Sequence, residues 1–278
     1  MISTSRIAKF ASVTLLAAMS LPSLAATTWG RTDGTCAAVG DGSNMGNSCA
    51  ATKDSVTATV RAYANSEADG TWATAALTAY GGGFGVNNGK SASSDPGEGG
   101  NPEHAIDGQG HTDAVLFQFS SSTSLSALTI GWSSGDADIS VMAWTGGGSP
   151  INAGNSGGAL FDKTTGNMIA PATGWTLIGN FGDVNDINTG SSTDQLNFTT
   201  NVTSSWWLVS AYNSNYAGSC TKSKSDSGCG AGNDYFKLLS VTGTATPPGN
   251  DTPEPATLAL AGLAVFGAGV ARRRTKKA

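Results

Sequence analysis

Two histidines, His104 and His111, are the only imidazoles in this chain of 278 residues, and both fall in one polar stretch ahead of an apolar segment. Serine is abundant, so a serine can always be set beside a histidine on paper. A serine hydrolase needs its nucleophile on a strained strand-to-helix turn, and no Gly-x-Ser-x-Gly sequence provides one. The run Gly154-Asn155-Ser156-Gly157-Gly158 is rich in glycine and nothing more. Among the carboxylates, Asp136 and Asp138 share a turn, Asp183 and Asp186 share another, and Asp234 follows Asn233. Glycoside hydrolysis requires two carboxyl groups facing each other across a cleft, and spacing along a chain does not establish that. Hard divalent cations want several oxygens from Asp, Asn and backbone carbonyls, so Asp136, Asp138, Asn233 and Asp234 form the candidate calcium set. The EF-hand pattern is absent, and aspartate is equally a turn residue because its side chain bonds nearby backbone. The expectation is a protein with no catalytic residues and no required cofactor, calcium being the one metal these turns could take.

Binding is the next chemistry to consider. Trp72, Trp132, Trp144, Trp175, Trp206, Trp207, Tyr212 and Tyr216 could stack on sugar rings, but aromatic residues at strand positions are core in the first instance, since they carry the largest burial energy. Tyr212, Asn213, Asn215 and Tyr216 close a strand with a polar, aromatic cluster and are the candidate ligand-binding group. The four cysteines, Cys36, Cys49, Cys220 and Cys229, fall into two local pairs. Three connectivities are open. The local one, Cys36 with Cys49 and Cys220 with Cys229, is favoured because each bridge closes a polar loop. No Cys-x-x-Cys and no nearby histidine supports a metal site there.

The elements that hold these residues read as short strands. In residues 55–63, Val56, Ala58, Val60 and Ala62 share one face and Thr57, Thr59 and Arg61 the other, the alternation of a half-buried strand. Residues 113–120, 125–132, 136–144 and 175–180 read as further strands, and residues 204–212 are apolar on both faces, as in a strand covered on both sides. Residues 235–241 close the domain. Residues 71–80 are rich in alanine and read equally as strand or short helix, and residues 81–85 as a glycine loop or bulged strand. Residues 87–110 and 146–174 read as long loops. Two antiparallel sheets packed face to face would bury the alternating faces. The expected fold is all-β, a single antiparallel β-sandwich or jelly-roll-like domain over residues 26–243, followed by an extended linker over residues 244–252.

The ends of the chain differ from its middle. Arg6 and Lys9 precede an apolar run over residues 10–21 and a small-residue site at Ser23-Leu24-Ala25, the layout of a secretory signal peptide over residues 1–25. Such a segment is handled by the Sec machinery, and export admits disulfides. The roughly 225 residues between the two ends hold eight basic residues and nineteen acids, a net charge of about −11. A surface of that sign repels nucleic acid and anionic lipid and suits neutral glycans or cationic partners. At the other end Pro253, Glu254 and Pro255 precede an apolar, small-residue run over residues 256–271. Arg272, Arg273, Arg274 and two lysines follow. Prolines cannot sit in a helix interior, and basic residues stay on the cytoplasmic side. The run reads as a transmembrane helix, and its 16 residues fall short of the roughly 20 that span a bilayer comfortably, which favours a temporary handle over a permanent anchor.

This proline pair, apolar run and basic cluster, in that order over residues 253–277, resemble the PEP-CTERM class of bacterial exported proteins. The segments DAVLFQF, DADISVMAW, SSWWLVSAY and GNDYFKLLSV, in that order, are also similar to a recurrent family of exosortase-dependent surface proteins. The resemblance implies recognition by an exosortase near Pro253-Glu254-Pro255 and loss of the helix from the inner membrane. Delivery to the cell surface or to an exopolysaccharide-rich matrix would follow. A destination is not an activity. The leading expectation is a non-enzymatic surface or matrix protein of a biofilm, and the runner-up a secreted carbohydrate-binding or carbohydrate-active module.

Overall fold

The computed structural model describes residues 25–38, 40–65, 72–91, 104–135, 137–151, 174–186, 193–214, 218–222, 228–230 and 234–246. They form β1 (Thr27–Gly30), β2 (Ser43–Asn44), β3 (Ser48–Lys53), β4 (Val56–Ala64), β5 (Ala73–Thr74), β6 (Ala76–Tyr80), β7 (Gly83–Asn87) and β8 (Ile106–Asp107). These are followed by β9 (Asp113–Ser133), β10 (Ile139–Trp144), β11 (Trp175–Gly182), β12 (Asp194–Asn197), β13 (Ser204–Ala211), β14 (Cys220–Lys222) and β15 (Tyr235–Ala245). Two single turns of 3-10 helix, Gly34–Ala38 and Val184–Asp186, are the other regular elements among the described residues. The protein is therefore mostly β. No helix among the described residues is long and apolar enough to cross a membrane. The expected signal peptide, most of the linker and the expected transmembrane run lie outside the described residues.

The fold turns on β9. Its first half pairs with β13 on one side, Phe117 opposite Trp207, and with β4 on the other, Phe117 opposite Val60. Its second half pairs with β15, Leu128 opposite Val241, and with β12, Leu128 opposite Leu196. Thr123 stands opposite both Ser204 and Ala245. The strand thus runs out in one half-sheet, turns over near Thr123 and returns in the other. The sequence divides this stretch into two strands over residues 113–120 and 125–132. The structure joins them, because Ser and Thr through the corner keep the ladder going where no Gly, Pro or Asn would break it. The first half-sheet runs β14-β11-β10-β13-β9 and continues to β4 and β3. The second holds β12, β9 and β15, with β1, β7 and β8 along the far edge of β15. All pairs are antiparallel except β11 with β14.

Both halves feed one apolar cluster. Val115, Phe117, Val141, Trp207 and Val209 come from the first, Leu128, Ile130, Phe84, Leu238 and Val241 from the second. Each large side chain taken out of water contributes about 1.5–3 kcal/mol. Trp29 of β1 closes the cluster, lying edge-on to Phe119 and donating its indole N–H to the Val56 carbonyl at 3.1 Å. The alternation read in β4 holds, with Val56, Ala58, Val60 and Ala62 buried. The two-faced reading of β13 holds as well. Trp207 and Val209 face the main cluster, while Leu208, with half-buried Trp206, joins Met142, Leu116, Trp175 and Tyr63 on the other side.

Residues 73–80 are strand, not helix, since Leu77 and Ala79 pair with Val86 and Phe84 in a hairpin. Residues 83–85, read as loop or bulged strand, are ladder positions of β7, and at Gly83 and Gly85 only glycine fits. A Cβ on Gly85 would strike the His104 carbonyl, and Gly83 has a φ of +130 against the Leu238 backbone. β15 runs two residues past the expected domain boundary at 243, pairing through Ala245.

Candidate functional site

The residues singled out for chemistry gather at one pole, where β9, β10 and β15 begin and β11 and β13 end. Asp138 is at its centre and is fully buried. One carboxylate oxygen accepts the Asp183 amide at 2.8 Å and the other accepts the Gly230 amide at 2.5 Å. The Asp138 amide donates to the Asp234 carboxylate at 3.0 Å, and its carbonyl accepts the Tyr212 amide at 2.9 Å. Five segments distant in sequence are tied through one residue: the start of β10, the end of β11, the end of β13, the start of β15 and the loop after Cys229. A buried carboxylate is stable where charged hydrogen bonds replace its water. Asp138 has those bonds, and Asp234 is buried beside it.

Of the candidate calcium set, Asp138 and Asp234 are among the described residues. Asp138 and Asp234 spend oxygens on backbone amides and hold the two half-sheets together at the pole opposite the β9 corner. No group of three His, Cys, Asp or Glu side chains among the described residues is arranged to hold a metal. Asp136 and Asn233 lie outside the described residues. Of the candidate ligand-binding group, Tyr212 and Asn213 are among the described residues. The Asn213 side-chain amide donates to the Thr112 hydroxyl at 2.8 Å, and Tyr212 is half-buried, so this pair is engaged in closing the pole. Asn215 and Tyr216 lie outside the described residues.

Both bridges are the expected ones, Cys36 to Cys49 and Cys220 to Cys229. The second does structural work that spacing did not reveal. Cys220 in β14 pairs with Asn180 of β11, and Cys229 precedes the Gly230 amide that binds Asp138. The bridge therefore keeps the amide next to its acceptor.

The two histidines have structural contacts. His104 Nε2 is 3.1 Å from the Asn87 side-chain amide, and His111 Nδ1 is 3.3 Å from the Asn65 carbonyl. Two arrangements had no signal in the sequence. Lys237, 6% exposed, places its ammonium 4.0 Å from the Tyr80 ring centre and 4.3 Å from that of Trp132. At the opposite pole Trp175, Trp144 and Trp206 lie in one row across β11, β10 and β13. Trp175 is buried, and Trp144 and Trp206 keep part of their surface in solvent. All three were aromatic candidates, but only pairing register shows that they are neighbours.

Residues 251–274 match the PEP-CTERM protein-sorting motif. No curated protein and no solved structure matches the chain. The chain carries a sorting motif of the exosortase-dependent class, which marks an exported protein bound for the membrane and cell surface. The expected signal residues Pro253, Glu254, Pro255, Arg272, Arg273 and Arg274 all fall inside the matched span and outside the described residues.

Proposed function

We propose that this is a non-enzymatic surface protein made as a membrane-tethered precursor and released by an exosortase acting at Pro253-Glu254-Pro255. Residues 1–25 direct it into the Sec machinery, residues 256–271 hold it in the inner membrane, and Arg272, Arg273 and Arg274 keep the tail end cytoplasmic. The freed domain, a β-sandwich whose halves meet at the β9 corner, then takes its place at the cell surface or in an exopolysaccharide matrix. The observation that carries this reading is the motif match over residues 251–274, beginning five positions after the last described residue, Thr246. A folded domain followed so closely by its sorting signal fits a precursor whose globular part is complete when the signal is read. Asp138, Asp234, His104 and His111, the groups best suited to proton transfer, have structural partners, which supports a non-catalytic role. Intact-mass measurement of the exported protein tests the proposal. The expected product ends near residue 253 and begins near Ala26. A mature C-terminus that still carries residues 272–277 overturns the processing step.

A further inference from the structure

The two ends of the folded domain leave it side by side. β1 lies antiparallel to the end of β15, with Thr27 opposite Gly243 and Gly30 opposite Ser240. Ala26 and Thr246 are therefore at the same pole, together with the β9 corner, where the Thr246 amide donates to the Ser122 carbonyl at 2.7 Å. The Lys53–Ser55 turn is there too, since the Thr27 hydroxyl donates to Asp54 at 2.7 Å. So is the start of β13, whose Ser204 hydroxyl donates to the Trp144 carbonyl at 2.6 Å. The part-exposed indoles of Trp144 and Trp206 thus sit on the last row before this pole.

Among the described residues this pole carries exposed Asp54 and Lys53, the latter paired with Asp33 at 2.7 Å, and hydroxyls of Ser and Thr dominate the corner. Five buried aspartates collect at the far pole, Asp107, Asp113, Asp138, Asp183 and Asp234, offset in part by Lys237. β15 spans the distance between the poles in 11 residues, about 35 Å at strand rise. Six residues separate Thr246 from Pro253, and the seven backbone steps reach at most about 25 Å when fully extended. The tether is shorter than the domain it holds, and among the described residues it leaves from the pole with fewer carboxylates.

We propose that this pole, formed by Ala26, residues 120–123, Trp144, Trp206 and Thr246, is a membrane-apposed surface that rests on phospholipid headgroups until the tail is cut. The inference depends on the reading that residues 256–271 lie in the membrane before processing. Indole rings favour the boundary between headgroups and hydrocarbon, where one edge is wet and the other is not. Anionic headgroups repel the aspartate pole and so turn it outward, within the roughly 10 Å over which charge is felt in salt.

The test uses the full chain reconstituted into vesicles of phosphatidylethanolamine and phosphatidylglycerol, with a photoreactive side chain placed singly at Ser121, Thr145, Gln109 or Ser214. Lipid adducts from Ser121 and Thr145 are expected to exceed those from Gln109 and Ser214 roughly tenfold, the ratio of a two-orientation equilibrium biased by about 1.4 kcal/mol. Equal yields, an excess from Gln109 and Ser214, or no adduct from a chain that does sediment with the vesicles each overturn the pole assignment. Adducts lost on adding a neutral soluble polysaccharide would give the two indoles to a glycan, and overturn it too. A chain that fails to sediment at all removes the membrane-handle reading first, and this inference with it.

Discussion

Replacing Asp138 by Asn keeps the shape of the side chain and changes what it can accept. The wild-type carboxylate, itself fully buried, takes two backbone amides, the buried one of Asp183 and the part-buried one of Gly230. The Asn oxygen can accept one of them, now without charge assistance. Its NH₂ group must face the other donor, and that amide loses its acceptor, buried if it is that of Asp183 and part-buried if it is that of Gly230. A hydrogen bond to a charged group contributes about 1.5–3 kcal/mol, and an unsatisfied buried donor costs about 1–3 kcal/mol. The neutral side chain recovers part of the desolvation penalty of the carboxylate, so the net loss is about 3 kcal/mol. For a domain of this size that lowers Tm by roughly 6–12 °C. Asp138→Ala adds a cavity and should lose about 4–5 kcal/mol. The loop closed by Cys220 and Cys229 is nine residues, worth about 2.5 kcal/mol of unfolded-state entropy. Removing both cysteines together with Asp138→Asn should cost less than the sum of the separate effects, because bridge and carboxylate hold the same amide. Thermal unfolding followed by circular dichroism gives the totals. Hydrogen exchange at the Asp183 and Gly230 amides, rising in Asp138→Asn before exchange in β4 does, gives the location. If Asp138→Asn stays within about 0.5 kcal/mol of wild type, the reasoning that a charged hub holds this pole is wrong.

Trp29→Ala should cost about 3–5 kcal/mol, measured by urea unfolding, because it removes the side chain that seats β1 on the core. Gly85→Ala should abolish or severely reduce folded yield, as the added methyl meets the His104 carbonyl. That is read from soluble exported protein and near-ultraviolet dichroism. Burial pushes the Tyr63 phenol above its ordinary value, with Arg61 opposing. A group raised in the folded state contributes stability that is whole below the unfolded value, about pH 10, and is lost as pH climbs through the folded one. Tyr63→Phe should therefore flatten the alkaline fall in the urea midpoint above about pH 10, leaving neutral stability little changed.

How far residue order revealed the fold depends on element length. β4 and β13 are long enough for a period to show, and their faces are as read. β1, β2, β12 and β14 have two to four residues, too few for any period, and exist because longer strands offer them an edge. The β9 corner was hidden by its own regularity. Nothing in its serines and threonines distinguishes a strand that turns over from two strands in succession. The aspartates were legible as turn residues and as cation ligands alike, and only position separates the two. At Asp138 the oxygens meet amides. The row of Trp175, Trp144 and Trp206 is spread over residues 144–206 and becomes a neighbourhood only through register. The sorting motif, by contrast, is contiguous, and contiguous chemistry is what a chain shows before it folds.

The pairing of β1 with β15 also sets a clock. A chain synthesised from its N-terminus delivers Trp29 early and its strand partner, Val241, more than two hundred residues later. Until then the main neighbour of β1 does not exist, and β9 lacks its longest ladder as well. Closing contacts so far apart in sequence is slow. The sheet therefore completes only once the residues just ahead of the sorting motif are present. In refolding experiments with pulsed exchange, the amides of β1 should gain protection no earlier than those of residues 240–243.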